Sequence, residues 1–352
     1  MIKYLGSKRT LLPLILAAVR SCEGTRSVLD LFSGTSRVGH ALKGAGFRVL
    51  ANDHLAYAHA LARCYVEADV EEVERDVRRL LRELGALKGS PGWFTDTFCE
   101  RSRFFQPRNG ERIDAIREAI AAKGLAPELE AVLLVSLMEA ADRVDSTTGL
   151  QMAYLKEWAP RAWNGLELRM PAVLPRADAG KGGASCLEAL DAAGALDADV
   201  AYLDPPYNQH SYLGNYHVWE SLVRWDKPAV YGVACKRADC RERRSPFNSR
   251  RAFRLALADV IAALRSPVLI VSFSDEGYAS RDELAGMLRA RGEVHVVARA
   301  YKRYVGAQIG IHNPQGEKVG HPSHLTNTEF LFVAVPHGAA FHLPGAERYS
   351  PA

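Results

Sequence analysis

Apolar residues along this chain keep two rhythms. Short unbroken apolar runs read as buried strands at Ser27 to Leu31, Phe47 to Ala51, Asp199 to Leu203, Pro267 to Phe273, Glu293 to Ala300 and Phe330 to Val335. Helical spacing takes over at Glu71 to Leu84, Glu111 to Ala122, Leu125 to Arg143, Val218 to Trp225, Arg250 to Leu264 and Asp282 to Ala290. Strand signals vanish between Leu55 and about Gly165, so this stretch reads as a mostly helical insertion. Strands alternating with helices, then two late strands with no helix between them, predict an α/β fold. Its sheet is Rossmann-like, mostly parallel, with a terminal antiparallel strand. The predicted division is 1–54 with 166–352 as one domain and 55–165 as the inserted one.

Composition narrows the class. The 352 residues are 48% hydrophobic and 24% charged, with a formal net charge of +4. This is enough apolar material for a large core plus an insertion. The charge permits a polyanionic partner without requiring one. Six cysteines are scattered with no Cys-x-x-Cys pair, which favours free thiols in a reducing compartment over a metal site. Lys3, Lys8 and Arg9 precede the apolar run Leu11 to Val19, as in a signal peptide. Arg20 ends that run, however, and Pro13 suits the first turn of a short helix. No stretch approaches membrane-spanning length, so a cytoplasmic protein without a membrane partner is expected.

The first β-α-β unit carries a small-residue turn, Phe32-Ser33-Gly34-Thr35-Ser36, and an acidic residue, Asp53, about 20 positions beyond it. That spacing suits a carboxylate holding a ribose, although Asp53 could instead cap a helix starting near His54. The strongest chemical signal is Asp204-Pro205-Pro206-Tyr207, directly after the Asp199 to Leu203 strand. Two prolines fix the turn and remove two donors, leaving exposed carbonyls as acceptors. A carboxylate, a carbonyl and an aromatic ring together suit a flipped base bearing an amino group. The plain alternative is a proline-rich turn capping a strand.

Three blocks in order resemble the Dam-like, D12 class of adenine-specific DNA methyltransferases. They are Lys3-Tyr4-Leu5-Gly6-Ser7-Lys8, Asp30-Leu31-Phe32-Ser33-Gly34-Thr35 and Asp204-Pro205-Pro206-Tyr207. Downstream, Val271-Ser272-Phe273-Ser274-Asp275-Glu276-Gly277 resembles a strand end lining the same pocket. The resemblance implies a methyltransferase sheet, S-adenosylmethionine as cofactor and methyl transfer to the 6-amino group of adenine. It further implies that Tyr4, Lys8, Asp30, Phe32, Ser33, Gly34, Thr35 and Asp53 hold the cofactor. Backbone amides of the Phe32 to Ser36 turn would take its carboxylate, with Lys8 adding charge, and Asp53 would take the ribose. Asp204, Pro205, Pro206 and Tyr207 would act on the base without a metal. Tyr4 and Lys8 also have a plain reading as a surface pair at a helix start. Ala184-Ser185-Cys186-Leu187-Glu188 departs from many relatives, which carry an acidic residue where Ser185 stands, so a Ser185 contact to the cofactor's adenine stays open.

Double-stranded DNA is the partner so implied, with a cognate restriction endonuclease in the same system as a further one, and a monomer is expected. The most basic segment holds Lys236, Arg237, Arg241, Arg243, Arg244, Arg250 and Arg251. Placed one element after the catalytic turn, it reads as a phosphate-contacting loop, against the usual solvated face. The insertion is the expected target-recognition unit; its cluster Arg101, Arg103, Phe104, Phe105 and Arg108 suits either DNA or a core aromatic pair ringed by arginines. The long segment Tyr301 to Asn327 carries Lys302, Arg303, Lys318 and three histidines, His312, His321 and His324, without a completed metal-ligand pattern.

Rival activities remain. Methylation of a ribosomal RNA amino group uses a similar Asp-Pro-Pro-aromatic motif, and methylation of the cytosine 4-amino group usually has serine in place of Asp204. Methylation at cytosine carbon 5 would need a Pro-Cys pair that the chain lacks. A nucleotide-dependent oxidoreductase would carry Gly-x-Gly-x-x-Gly after Asp30, and does not explain Asp204 to Tyr207. A DNA-binding module without catalysis would have no need of Asp204 and Lys8.

Overall fold

The computed structural model describes residues 1–302, 311–312, 318–320 and 326–350. The strands are β1 (Ser27–Asp30), β2 (Arg48–Asn52), β3 (Gly183–Ser185), β4 (Val200–Leu203), β5 (Val230–Tyr231), β6 (Lys236–Arg237), β7 (Val268–Ser274), β8 (Glu293–Lys302), β9 (Ile311–His312), β10 (Lys318–Gly320), β11 (Thr326–Val335) and β12 (Glu347–Arg348). Eight of them form one sheet in the order β12-β8-β11-β7-β4-β1-β2-β3. The stretch from β7 through β3 is parallel. β11 inserts antiparallel between β7 and β8, and the short β12 adds a second antiparallel edge. The expected terminal antiparallel strand is therefore β11, and it lies inside the sheet. β3 and β12, three and two residues long, were too short to give a sequence signal.

Both faces of the sheet are covered, which is why β4 is buried at every position. On one face lie α1 (Leu12–Arg20) and α2 (Arg37–Gly44), through Ile15, Val19, Val38 and Leu42. Further along the chain come α3 (Ala56–Ala62), α4 (Val70–Gly85), α5 (Trp93–Thr95), α6 (Pro107–Ala122) and α7 (Pro127–Asp142). The opposite face is covered by α8 (Ala189–Ala195), and, after α9 (Tyr212–Asn215) and α10 (His217–Arg224), by α11 (Phe253–Ala263) and α12 (Arg281–Leu288). β1 sits where the strand order reverses, with β2 on one side and β4 on the other. In open α/β sheets ligands settle beyond the carboxyl ends of the strands at that point.

No strand is described between β2 and β3, and helices α3 to α7 lie in the Ala56 to Asp142 part of that interval. Their core is shared with a later part of the chain: Leu213, Tyr216, Val218, Trp219, Leu222 and Cys235 pack into it. Polar contacts lock the two parts together. The Arg117 guanidinium donates to the carbonyls of Leu222 and Val223 at the end of α10, at 2.8 and 2.9 Å. Gln151 accepts the Val218 amide at 3.0 Å, while its own carbonyl meets His217 Nε2 at 2.9 Å. Phe104 and Phe105 are core residues. Of the arginines around them, Arg103 lies 4.8 Å over Trp158 and donates to the Lys156 carbonyl, and Arg108 donates to the Trp163 carbonyl. The aromatic-basic cluster thus follows its core reading.

Asp114 of α6 is the main polar anchor of this layer. Buried, it accepts the amides of Gly92, Phe94 and Thr95 at 2.8 to 3.0 Å and the Thr95 hydroxyl at 2.7 Å. The amides belong to the start of α5, whose first N–H groups have no partner inside the helix. Asp114→Ala strands several buried donors, so we expect it to destabilise the protein by about 3 kcal/mol. A thermal melt lowered by several degrees checks this, and an unchanged melt contradicts it.

Candidate active site

Beyond the ends of β1 and β4 lies a cleft whose wall includes Tyr4, Lys8, Asp30, Phe32, Ser33, Gly34, Thr35, Asp53, Asp204 and Pro206. Residues separated by up to 200 positions in the chain thus meet at one place. Pro205 is buried beneath the turn, and Tyr207 packs edge-on against Phe273 with ring centroids 5.2 Å apart.

The turn after β1 is shaped by glycine and by one strained serine. Gly34 has φ +50°, and a Cβ there would press on the Tyr4 ring at 3.4 Å. Ser36 takes φ +56°, a left-handed value uncommon for a residue with a side chain. It precedes α2 and makes no side-chain cap there, so the helix N-terminus opens beside the turn. Asp30 accepts the Gly39 amide at 3.1 Å from beneath. Asp53 ties the turn after β1 to the start of α3: one oxygen accepts the Gly34 amide at 3.0 Å, and the other accepts the Leu55 amide at 3.0 Å. Each oxygen keeps a lone pair for another donor. Ser185 meets Asp53 through its backbone, its carbonyl accepting the Asp53 amide at 3.2 Å.

The N-terminal block is far from a surface pair. Tyr4 stacks nearly parallel against both Tyr216 and Tyr212, with centroids 4.6 and 5.3 Å away, and its hydroxyl meets that of Tyr57 at 3.2 Å. The Leu5 amide donates to the Tyr216 hydroxyl at 2.6 Å. Lys8 is buried, with its ammonium 3.2 Å from Asp204 Oδ1, 3.3 Å from Glu329 Oε2 and 5.7 Å from the centre of the Tyr207 ring. Its charge is therefore directed at two carboxylates rather than at the turn before α2, where the sequence had placed it. Asp204 Oδ1 also accepts from Ser272 at 3.1 Å, and the Ser272 hydroxyl meets Tyr202 OH at 2.8 Å. Neither Glu329 nor Tyr212 and Tyr216 carried a recognisable motif. Only the strand register of β11 and the packing of α9 and α10 bring them here.

Burial dominates the charge states. It raises the Asp30 carboxyl to about 7, assisted by repulsion from Asp204 and Asp53. Burial likewise raises Asp204, against the opposing pull of Lys8 and Ser272, and raises Glu329 against Lys8. For Lys8, burial pulls downward, but Asp204, Tyr207 and Glu329 together lift it well above its ordinary value. The cleft is rich in carboxylates and suits a ligand that carries positive charge and hydroxyl groups.

Residues 4–257 match the model of the D12 class N6 adenine-specific DNA methyltransferases. The chain belongs to this family. It is 28% identical to the modification methylase StsI of Streptococcus sanguinis, over 87% of this chain and 49% of that protein. It is also 28% identical to the type II methyltransferase M.FokI of Planomicrobium okeanokoites, over 86% of this chain and 49% of that one. The chain thus spans about half the length of these two relatives. With the type II methyltransferase M.NlaIII of Neisseria lactamica it shares 26% identity over 94% of this chain and 98% of the relative. The methyltransferase sheet expected for such a family is the one described above, and a methyl donor is implied by membership.

The basic segment divides on inspection. Arg237 is 1% exposed and grips Asp226 with two nitrogens at 2.7 and 2.8 Å and Asp239 at 3.1 Å. It is a buried ion pair holding the β5–β6 hairpin, which removes it from the expected phosphate contacts. Arg241 covers the Tyr231 ring at 3.8 Å, and Arg243 donates to the His54 carbonyl at 3.3 Å. Arg241, Arg244, Arg250 and Arg251 are exposed, and Lys236 and Arg243 half-buried. No described helix is long and apolar enough to cross a membrane. Among the described residues no group of histidine, cysteine, aspartate or glutamate is arranged to hold a metal, and all six cysteines are free. Arg303, His321 and His324 lie outside the described residues, and Lys302, His312 and Lys318 are described by backbone alone.

The raised Asp30 carboxyl has a stability consequence. An aspartate whose folded value is about 7, against about 3.9 unfolded, holds a proton in the native state that the unfolded chain has lost. Stability then falls as pH rises from about 4 to about 7. Asp30→Asn can still accept the Gly39 amide, so it should fold and lose this group's share of the slope. Denaturant melts of both proteins across that range check it; parallel stability curves contradict it.

Proposed function

We propose that this chain transfers a methyl group from S-adenosylmethionine to the 6-amino group of adenine in double-stranded DNA. One observation carries the reading: within the family-matched region, Asp204 and Pro206 at the end of β4 share a single cleft with the Asp30 to Thr35 turn and Asp53. The residues present suit that cofactor. The buried Ser33 hydroxyl has no partner, Asp53 keeps acceptor capacity for a diol, and the carboxylate-rich wall suits a sulfonium and an ammonium group. Tyr4, Lys8, Asp30, Phe32, Ser33, Gly34, Thr35 and Asp53 are the residues proposed to enclose it, Lys8 by way of its carboxylate partners. When bound, the cofactor supplies a methyl group on positively charged sulfur, ready for direct attack by nitrogen.

The chain's own part is to prepare the amino group. Its lone pair is delocalised into the adenine ring, so the nitrogen is a weak nucleophile. Asp204 Oδ1 is occupied by Lys8 and Ser272, whereas Oδ2 has no hydrogen-bond partner among the described residues and is the proposed acceptor of one amino hydrogen. The Pro205 carbonyl is the proposed acceptor for the second hydrogen. Two acceptors favour a more pyramidal nitrogen and stabilise the positive charge that grows on it. Tyr207, steadied by Phe273, is proposed to stack on the base, and close in-line placement supplies most of the remaining acceleration.

Lys236, Arg241, Arg243, Arg244, Arg250 and Arg251 are proposed phosphate contacts, and the helices of residues 55–165 the target-recognition unit inserted into a catalytic unit of 1–54 and 166–352. The names of StsI and LlaI as modification methylases support a restriction-modification setting with a cognate endonuclease. Incubation with methyl-labelled S-adenosylmethionine and unmethylated genomic DNA, followed by nucleoside analysis, tests the reading. We expect label in 6-methyladenine, reduced at least about a hundredfold by Asp204→Ala. Label in 4-methylcytosine, or in ribosomal RNA instead of DNA, overturns it.

A further inference from the structure

Glu329 meets Lys8 from β11, beyond the family-matched residues 4–257. Its carboxylate is largely buried, and burial opposes its ionisation. Lys8 already has an anionic partner in Asp204, so a second buried carboxylate is an expensive way to neutralise one ammonium. The hydrogen-bond pattern gives it another use. Lys8 and Ser272 both converge on Asp204 Oδ1, at 3.2 and 3.1 Å, and among the described residues Oδ2 has no hydrogen-bond partner. An ammonium has three donors and a flexible stem. Released from Glu329 Oε2, that of Lys8 could move across the Asp204 carboxylate and bridge both oxygens. Besides Lys8 and Asp204, the charged groups facing Glu329 are Asp275 and its cross-strand partner Arg299. Asp275 is engaged by the Thr328 amide at 2.9 Å, and Arg299 makes no hydrogen bond to Glu329.

We propose that Glu329 is a positioning residue: it holds the Lys8 ammonium to one side, so that Asp204 Oδ2 stays open for the amino group of the target base. This rests on the methyl-transfer reading for its purpose, but its geometry can be read without turnover. The first test is a crystal structure of Glu329→Ala, in which Lys8 Nζ should lie within hydrogen-bond distance of both Asp204 oxygens. Kinetics on DNA should show kcat lowered roughly ten- to hundredfold, as for a misplaced reacting group, with KM for the methyl donor within about twofold of wild type. Glu329→Gln keeps the shape without the charge and should move both readouts in the same direction, by less. In a Lys8→Gln background, Glu329→Ala should lower kcat no further, because it acts through Lys8. An ammonium that stays on Oδ1 alone overturns the proposal whatever the activity. So does an unchanged kcat in an active enzyme, or losses that multiply in the double variant.

Discussion

The buried ammonium of Lys8 fixes three distant parts of the chain at one point. It joins the N-terminal block, the turn after β4 and the inserted strand β11, through contacts of 3.2 and 3.3 Å. A charge so enclosed is tolerated only while its partners remain in place, so the ion pairs constrain the geometry of everything that carries them. The sheet order follows the same constraint. β11 must run antiparallel between β7 and β8 for Glu329 to stand opposite Ser274, one strand away from the turn after β4.

Around that point the cleft is built from two materials. The sheet side supplies carboxylates and backbone amides, held by short bonds such as Asp53 to Gly34 and Asp30 to Gly39. The helical side supplies aromatic rings, with Tyr4 stacked against Tyr212 and Tyr216 and its hydroxyl on Tyr57. The N-terminal block is the seam between them. Lys3 reaches back to Asp145 and to the Asp142 carbonyl at the end of α7, at 2.9 and 2.7 Å. Five residues further on, Lys8 enters the sheet side. Movement of the helical layer would therefore be felt at the turn after β4 through Tyr4 and Lys8.

Much of this was legible in the sequence, for reasons that differ by element. β1, β4 and β7 announced themselves because strands covered on both faces need unbroken apolar runs. The Asp204 to Tyr207 turn and the Asp30 to Thr35 turn were legible because chemistry restricts residue choice at strand ends. What stayed hidden depends on long-range register. Glu329 is one carboxylate in a strand otherwise read by its apolar residues, and nothing local marks it. Tyr212 opens α9 and Tyr216 lies between α9 and α10, and their packing partner, Tyr4, is some two hundred residues away. Arg237 misled for the opposite reason. A run of positive charge looks uniform in sequence, yet two nearby aspartates draw this one arginine into the interior. The arginines about Phe104 and Phe105 show the same ambiguity resolved by burial of the rings.

The central claim is that one cleft holds the cofactor at the β1–β2 side and presents the target base at the end of β4. Binding of S-adenosylhomocysteine, the demethylated cofactor, separates the two ends without requiring turnover. Calorimetric titration of Asp53→Ala should show affinity weakened roughly tenfold or more, as expected for loss of a charged acceptor to a diol. Asp204→Ala should bind within about threefold of wild type, since Oδ2 is proposed to meet the base and not the cofactor. Strong binding by the Asp53 variant together with lost binding by the Asp204 variant would contradict the account.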